Sequence, residues 1–336
     1  PAQAGDGSAP QITLDATYGY QDMAKSGRFL PLKIKLDNTG SAAFSGTLCI
    51  LTMESDYELY RYEYPVTLEP GAQDVKSMSI SLGARIDQMY VKVVDQEGHE
   101  AASKRLKLNI NTDTAELFIG LLSDTPDRLQ YLNGVGINYG TLRTRTVVMT
   151  AKSLPSQELG LDQLDVLLIS NFNSRTLSGA QVEAIWQWVK KGGVLLFGTG
   201  ARAEDVLDAF GDELLIGPLP QADLQDINMG VEFAKNSPKE AEIPLVCTDI
   251  FMRGASEVLS SDELSVLTYV PVDNGLVAAA IYDFVDIENF CQDNISYIDN
   301  LFFSLLGEDR INMLSLTADG TTSSQYWSVQ SLINNG

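Results

Sequence analysis

The sequence predicts a chain of two domains, an all-β sandwich followed by a doubly wound α/β domain. Three observations predict it. At 336 residues the chain exceeds what one ordinary hydrophobic core serves. From Gln11 to about Asn111, short segments alternate apolar and polar residues, the period of a half-buried strand. Beyond residue 113, apolar runs of strand length alternate with helical stretches, the pattern of a parallel sheet with crossover helices. These boundaries divide the chain into a leader at 1–10, a sandwich at 11–113, an α/β domain at 114–311 and a tail at 312–336.

The sandwich comes first. ITLDATYGY, FLPLKIKLDN, FSGTLCILTM, LYRYEYPVTL, VKSMSISL, MYVKVVD and RLKLNI are seven alternating segments separated by turn residues such as Asn38-Thr39-Gly40 and Glu69-Pro70-Gly71. Seven strands in about a hundred residues indicate an immunoglobulin-like sandwich. In KIKLDN, Ile34 and Leu36 face in while Lys33 and Lys35 face out. Tyr60, Tyr62 and Tyr64 share one face, either a binding platform or half-buried packing. The turn chemistry of Asn38 to Gly40, Phe44 to Gly46 and Leu68 to Gly71 resembles that of bacterial extracellular modules of the fibronectin or adhesion type.

The second domain opens with the strand ELFIGLL, then Ser123-Asp124-Thr125-Pro126 and a short helix through Leu132. Thr144 to Met149 is the next strand. Residues 164–200 then read strand, loop, helix, strand, turn. Leu164 to Ile169 is an apolar strand, Ser178 caps a helix, Gly192-Gly193 stops it, and Val194 to Phe197 is a second buried strand. A helix follows over Ala203 to Phe210. The signal weakens from Gly211 to about Gly254. Asp273-Asn274-Gly275 then marks a hairpin, and Asp286 to Leu306 holds a final helix with Phe290, Ile298, Leu301, Phe302 and Leu305 as its apolar stripe.

Composition excludes several functions. The formal charge of −22 argues against nucleic acid or an anionic membrane as partner. Cys49, Cys247 and Cys291 form no CxxC pair, so neither a zinc site nor a disulfide framework is indicated, although a Cys247–Cys291 bridge is open. No apolar run is long enough to span a membrane. Residues 1–10, PAQAGDGSAP, have the composition of a flexible leader behind a signal peptide or lipid anchor. The expected setting is therefore extracytoplasmic, as a membrane-anchored ectodomain that meets the membrane only through segments outside this sequence.

Ligands of an open parallel sheet bind beyond the carboxyl ends of its strands. Three loops qualify, carrying Ser123 and Asp124, then Asn171, Asn173 and Arg175, then Gly198, Thr199 and Gly200. Asp283 and Asp286 lie near the same end. Hydroxyl, carboxylate, amide and guanidinium groups with free backbone N–H groups suit an anion or a hydroxyl-rich ligand, but each can equally cap its own helix or turn. No cofactor and no metal site is implied.

The stretch LDVLLIS…LSGAQVEAIWQWVKKGGVLLFGTGA resembles the class I glutamine amidotransferase-like superfamily, most of all its non-amidotransferase members on bacterial secreted and membrane proteins. The resemblance covers roughly residues 116–307 and implies a flavodoxin-like domain. It also implies a nucleophilic cysteine in the turn after the second strand, served by a later histidine and carboxylate. Here that position holds Thr199, and His99, the single histidine, lies in the sandwich. A triad needs a thiolate and an imidazole, so the resemblance implies a domain without that activity. No GxSxG, P-loop, GxGxxG or HExxH motif is present. The leading expectation is a non-catalytic binding or scaffolding protein of the cell envelope, its partner another envelope protein or a polysaccharide. The alternative is a carboxylate-dependent hydrolase using Asp124 with Asp283, whose carboxyl groups would stand about 5–10 Å apart.

Overall fold

The structure is a computed structural model and describes residues 10–55, 58–83, 87–111, 114–229 and 242–316. The chain divides into two compact units, the first running to Ile110 and the second beginning at Asn111. The expected leader, apart from Pro10, and residues 317–336 of the expected tail lie outside the described residues.

The first unit is all β. Its strands are β1 (Ile12–Tyr18), β2 (Phe29–Asn38), β3 (Phe44–Ser55), β4 (Glu58–Leu68), β5 (Gln73–Ser81), β6 (Gln88–Asp95) and β7 (Glu100–Lys107). They form a three-stranded sheet, β1-β2-β5, and a four-stranded sheet, β4-β3-β6-β7, with every pair antiparallel. Leu30, Ile34 and Leu36 of one sheet and Leu48, Ile50, Val91 and Val93 of the other are fully buried in a shared core. Alternation alone explains this, because side chains two apart in a strand lie on one face. Tyr62 and Tyr64 pair with Ile50 and Leu48 and pack half-buried against the same core, the packing alternative of the two the sequence offers. Tyr60 is the exposed one of the three, at 46%, while Tyr62 and Tyr64 are half-buried.

The second unit is built on an eight-stranded sheet. Its strands are β8 (Ala115–Leu122), β9 (Gly136–Ile137), β10 (Leu142–Met149), β11 (Val166–Ser170) and β12 (Val194–Gly198). β13 (Asp223–Asn228) and β14 (Glu242–Cys247) form a separate hairpin, and β15 (Ser256–Ser261), β16 (Leu264–Val272) and β17 (Gly275–Ala280) complete the set. The sheet order is β15-β16-β17-β12-β11-β8-β10-β9. Pairs from β17 to β10 are parallel, while β9, β15 and β16 join antiparallel at the two edges. β8, β11, β12 and β17 are buried along their whole length, as their unbroken apolar sequences require.

This corrects the expected doubly wound, flavodoxin-like domain. A doubly wound sheet needs a helix in each parallel connection, and among the described residues strand outweighs helix, 45% against 24%. β8 leads to β10 through the 3-10 segment Pro126–Leu132 and β9. β10 leads to β11 through only the 3-10 segment Glu158–Leu161. The helices are α1 (Gly179–Lys190), α2 (Ala203–Leu207), α3 (Gly211–Leu214), α4 (Glu288–Asp293), α5 (Ile295–Leu306) and α6 (Glu308–Leu316). Among the described residues, only α1 is a full-length helical crossover between neighbouring parallel strands, β11 and β12. Among its described residues, the path from β12 to β17 holds four strands and two short helices instead. The final helix expected over 286–306 is a 3-10 turn followed by α4 and α5, and α6 runs across the boundary expected at 311 into residues placed in the tail.

α1 forms where the sequence marks it. The Ser178 hydroxyl accepts the Gln181 N–H, and the Gln181 side chain returns a bond to the Ser178 N–H, a capping box. Ile185, Trp186, Trp188 and Val189 bury its inner face. It ends at Gly192, whose φ of +126° suits glycine.

Candidate functional site

The turn after β12, where the resemblance puts a nucleophile, is closed. Thr199 is fully buried, and its hydroxyl donates to the Ala280 carbonyl at 2.7 Å. Its N–H donates to the Tyr282 carbonyl at 2.9 Å, and the Gly200 N–H to the Ile281 carbonyl at 3.1 Å. The Thr248 hydroxyl donates to the Gly200 carbonyl at 2.8 Å. A Cβ on Gly200, which sits at φ +58°, would come within 2.9 Å of the Asp283 nitrogen. A Cβ on Gly198 would come within 2.6 Å of the Phe284 ring and of the Ser170 hydroxyl. The turn carries glycines because the chain's own backbone lies against it, which leaves no approach for a substrate carbonyl.

Asp283 stands beside this turn, also buried. One carboxylate oxygen accepts the Val285 N–H at 3.0 Å, capping the 3-10 turn Phe284–Ile287, and the Ser170 hydroxyl donates to the same oxygen at 2.5 Å. Ser170 in turn accepts the Phe284 N–H at 3.1 Å. Burial pushes the Asp283 pKa up to about 6, against the lowering effect of these hydrogen bonds.

The solvent-facing part of the predicted site is organised by Arg202, which the sequence reading missed. Its guanidinium donates to Asp124 at 2.9 Å, to the Asn171 side-chain oxygen at 2.7 Å and to Asp205 at 3.2 Å. The hydrogen bond with Asp124, first among its causes, raises the Arg202 pKa. Asn171 takes a left-handed φ of +49° and donates through its amide to the Thr125 hydroxyl at 2.6 Å, while its carbonyl accepts the Asp124 N–H. Ser123 accepts the Thr125 N–H. So Ser123, Asp124 and Asn171 do come together, as a network tying two loops. One signal for Arg202 was available: it is the single cation between Lys191 and Lys235.

Asn173 and Arg175 turn elsewhere. The Asn173 side chain accepts the Arg175 N–H at 3.1 Å and caps the 3-10 turn Ser174–Thr176. The Arg175 guanidinium meets Asp208 at 2.9 Å, a contact that raises its pKa, and Asp205 at 3.9 Å. It lines a groove of about 560 Å³ whose far wall is the segment from Leu215 to Leu219. Ser123, Asp124, Asn171 and Asp283 do not line that groove.

The remaining chemistry is also structural. Cys49, Cys247 and Cys291 are free and buried, so the Cys247–Cys291 bridge is absent. Burial pushes the Cys247 and Cys291 thiols up to about 12, the opposite of an activated thiolate. His99 is exposed on the turn between β6 and β7, 3.3 Å from Asp95 and 4.0 Å from Glu97. These are the three residues among those described whose ligand atoms would suit a cation. Asp95 uses its other oxygen to accept the Glu97 and His99 N–H groups, so the turn accounts for the cluster.

Comparison with known proteins adds little beyond the first unit. No curated protein sequence matches the chain. Among solved structures it is similar to a cytoplasmic protein, STM1381, of Salmonella typhimurium LT2. That likeness has 16% identity over 56% of this chain and 99% of the other, with a TM-score of 0.39. It is also similar to the exo-beta-1,4-mannosidase Op5Man5 of Opitutaceae bacterium strain TAV5, at 12% identity and TM-score 0.37 over 57% of this chain. This second likeness spans 36% of the mannosidase. The CARDB domain of a Pyrococcus furiosus protein, solved with di-metal ions, is similar at 14% identity and TM-score 0.24 over 30% of this chain and 89% of that one. Residues 11–109 match a domain of unknown function (DUF8726), a match that falls within the Pro1–Ile110 part of the first compact unit.

Proposed function

We propose that the chain is a non-catalytic binding or scaffolding protein of the bacterial cell envelope. The observation that carries this reading is the Thr199 hydroxyl, buried and donating to the Ala280 carbonyl at the position where a nucleophile would stand. Nucleophilic catalysis needs an exposed, activated oxygen or sulfur with a base in reach. The second unit has no histidine, and its thiols are buried. A two-carboxylate mechanism finds no better support. Asp283 is sealed as a turn cap, and Asp124 is held by Arg202. The groove beside Arg175 is the concavity that suits a binding role, its partner another envelope protein or a polysaccharide.

The test is a turnover screen of amide, ester and glycoside substrates with the full chain and with Thr199→Ala. No turnover above background is expected in either. Turnover that disappears in Thr199→Ala would overturn the reading. The envelope setting is tested by fractionating cells that express the full-length gene, with recovery in the cytosol as the contrary result.

A further inference from the structure

Two apolar side chains of the second unit stand side by side in solvent. Ile216 is 66% exposed and Phe251 61%. They lie on neighbouring chain segments, since the Ile216 N–H donates to the Phe251 carbonyl at 3.0 Å and the Arg253 N–H to the Leu214 carbonyl at 2.9 Å. Between these bonds Leu215 pairs with Met252, and Met252 points inward. Ile250 and Met252 on either side of Phe251 are both buried, so its exposure is set by two inward-facing neighbours. Ile216 and Phe251, with Pro218, Leu219 and Pro220, line an apolar groove of about 320 Å³. Leu215 to Leu219 separate it from the larger groove that holds Arg175. Adjacent exposed aromatic and branched side chains beside a groove mark an interaction surface.

The charge around this patch selects the occupant. Residues 111–319 carry 31 acidic and 12 basic side chains, while residues 1–110 carry 14 and 11, so the −22 of the chain is concentrated in the unit that holds the patch. At the grooves themselves, the side chains of Asp249, Asp212 and Glu204 make no hydrogen bond or ion pair among the described residues, and Arg253 is the single cation there whose side chain is in the same state. A second copy of so acidic a surface is repelled, and an anionic partner likewise. A cation-bearing segment with apolar anchors gains from both the groove and the field.

We propose that the Ile216–Phe251 patch docks a basic amphipathic segment of a partner protein. Apolar side chains of that segment enter the groove, and its lysines or arginines face Asp249, Asp212 and Glu204. This rests on the binding role proposed above and names its surface and partner chemistry.

The experiment titrates the full chain into a fluorescein-labelled amphipathic Lys/Leu 14-residue peptide at low salt. An all-Lys peptide and a Glu/Leu peptide of the same pattern serve as controls, and the readout is anisotropy. The Lys/Leu peptide is expected to bind, to weaken at least tenfold in the Ile216→Ser/Phe251→Ser chain, and to weaken with added salt. The Glu/Leu peptide is expected not to bind. No binding of the Lys/Leu peptide at 0.1 mM chain overturns the proposal. So does binding that the double substitution leaves unchanged, which is bulk charge alone. Sedimentation of the unsubstituted chain as a dimer that the double substitution dissociates also overturns it, in favour of a second copy. Both residues are exposed and outside the core, and circular dichroism checks that the variant is folded. Failure here with no turnover in the Thr199 screen leaves the non-catalytic reading standing. Turnover in that screen, with patch-dependent binding intact, removes only that reading.

Discussion

Asp283 shows how a group that reads as a catalytic candidate becomes a structural one. A carboxylate at the end of a parallel sheet invites a chemical role, yet one of its oxygens accepts from both Val285 and Ser170. Its pKa, pushed up to about 6 by burial, has a consequence for stability. The folded value lies above the unfolded value of 3.8, so the native chain holds this proton more tightly than the unfolded chain. Its contribution is complete below pH 4 and is lost as pH rises toward 6, a change of about 2–3 kcal/mol by linkage. Asp286, raised by burial as well, adds to the same trend. We expect the second unit's urea midpoint to fall between pH 4 and 6, and the fall to shrink in Asp283→Asn, which has no proton to lose. An undiminished pH slope in Asp283→Asn would assign the effect to other groups. The loop groups Ser123, Asn171 and Asn173 were legible in the sequence because such residues hydrogen-bond nearby backbone or bridge loops. What joins them was not. Arg202 acts through partners 31 and 78 residues away in sequence, and Ser170 through one 113 away, separations that no local pattern encodes.

α1 is the element whose sequence carries its structure most completely. Its cap, its inner face and its glycine stop all lie within residues 178–193. Replacing Ser178 by Ala removes the capping box, and a loss of about 1 kcal/mol in the second unit's unfolding free energy is expected. A change below a few tenths would show that packing of Trp186 and Trp188 alone sets this helix. The hairpin between β16 and β17 was equally legible in place, but not in detail. Its loop is Asp273-Asn274, with Asp273 at φ +50°, and Val272 pairs with Gly275. Gly275 belongs to the strand, where a Cβ would come within 2.0 Å of the Val189 carbonyl and 2.3 Å of the Gly193 carbonyl. The glycine answers to α1 packing over the sheet, not to the turn. The seven strands of the first unit were legible for a simple reason. Each has one wet face, so alternation survives in the sequence. β8, β11, β12 and β17 have no wet face, and an unbroken apolar run does not say whether the next connection is a helix. The doubly wound expectation failed at those connections, where 3-10 segments and antiparallel edge strands took the place of helices.

Across the whole chain the two units differ in kind. The first is a two-sheet antiparallel sandwich of nearly balanced charge. The second holds the acidic excess, the grooves and the exposed Ile216–Phe251 pair. At the sheet end of the second unit Thr199 is satisfied by the Ala280 and Tyr282 carbonyls and Asp283 by Ser170 and Val285, so the proposed recognition role falls to the surface grooves. The measurement that separates this from catalysis is a peptide map of the native chain after exposure to an excess of p-nitrophenyl acetate. We expect acyl groups on exposed lysines and none on Thr199, because its hydroxyl is buried and already donates to Ala280. A single acyl group on Thr199 that forms in the native chain and not in the urea-unfolded one would contradict the account.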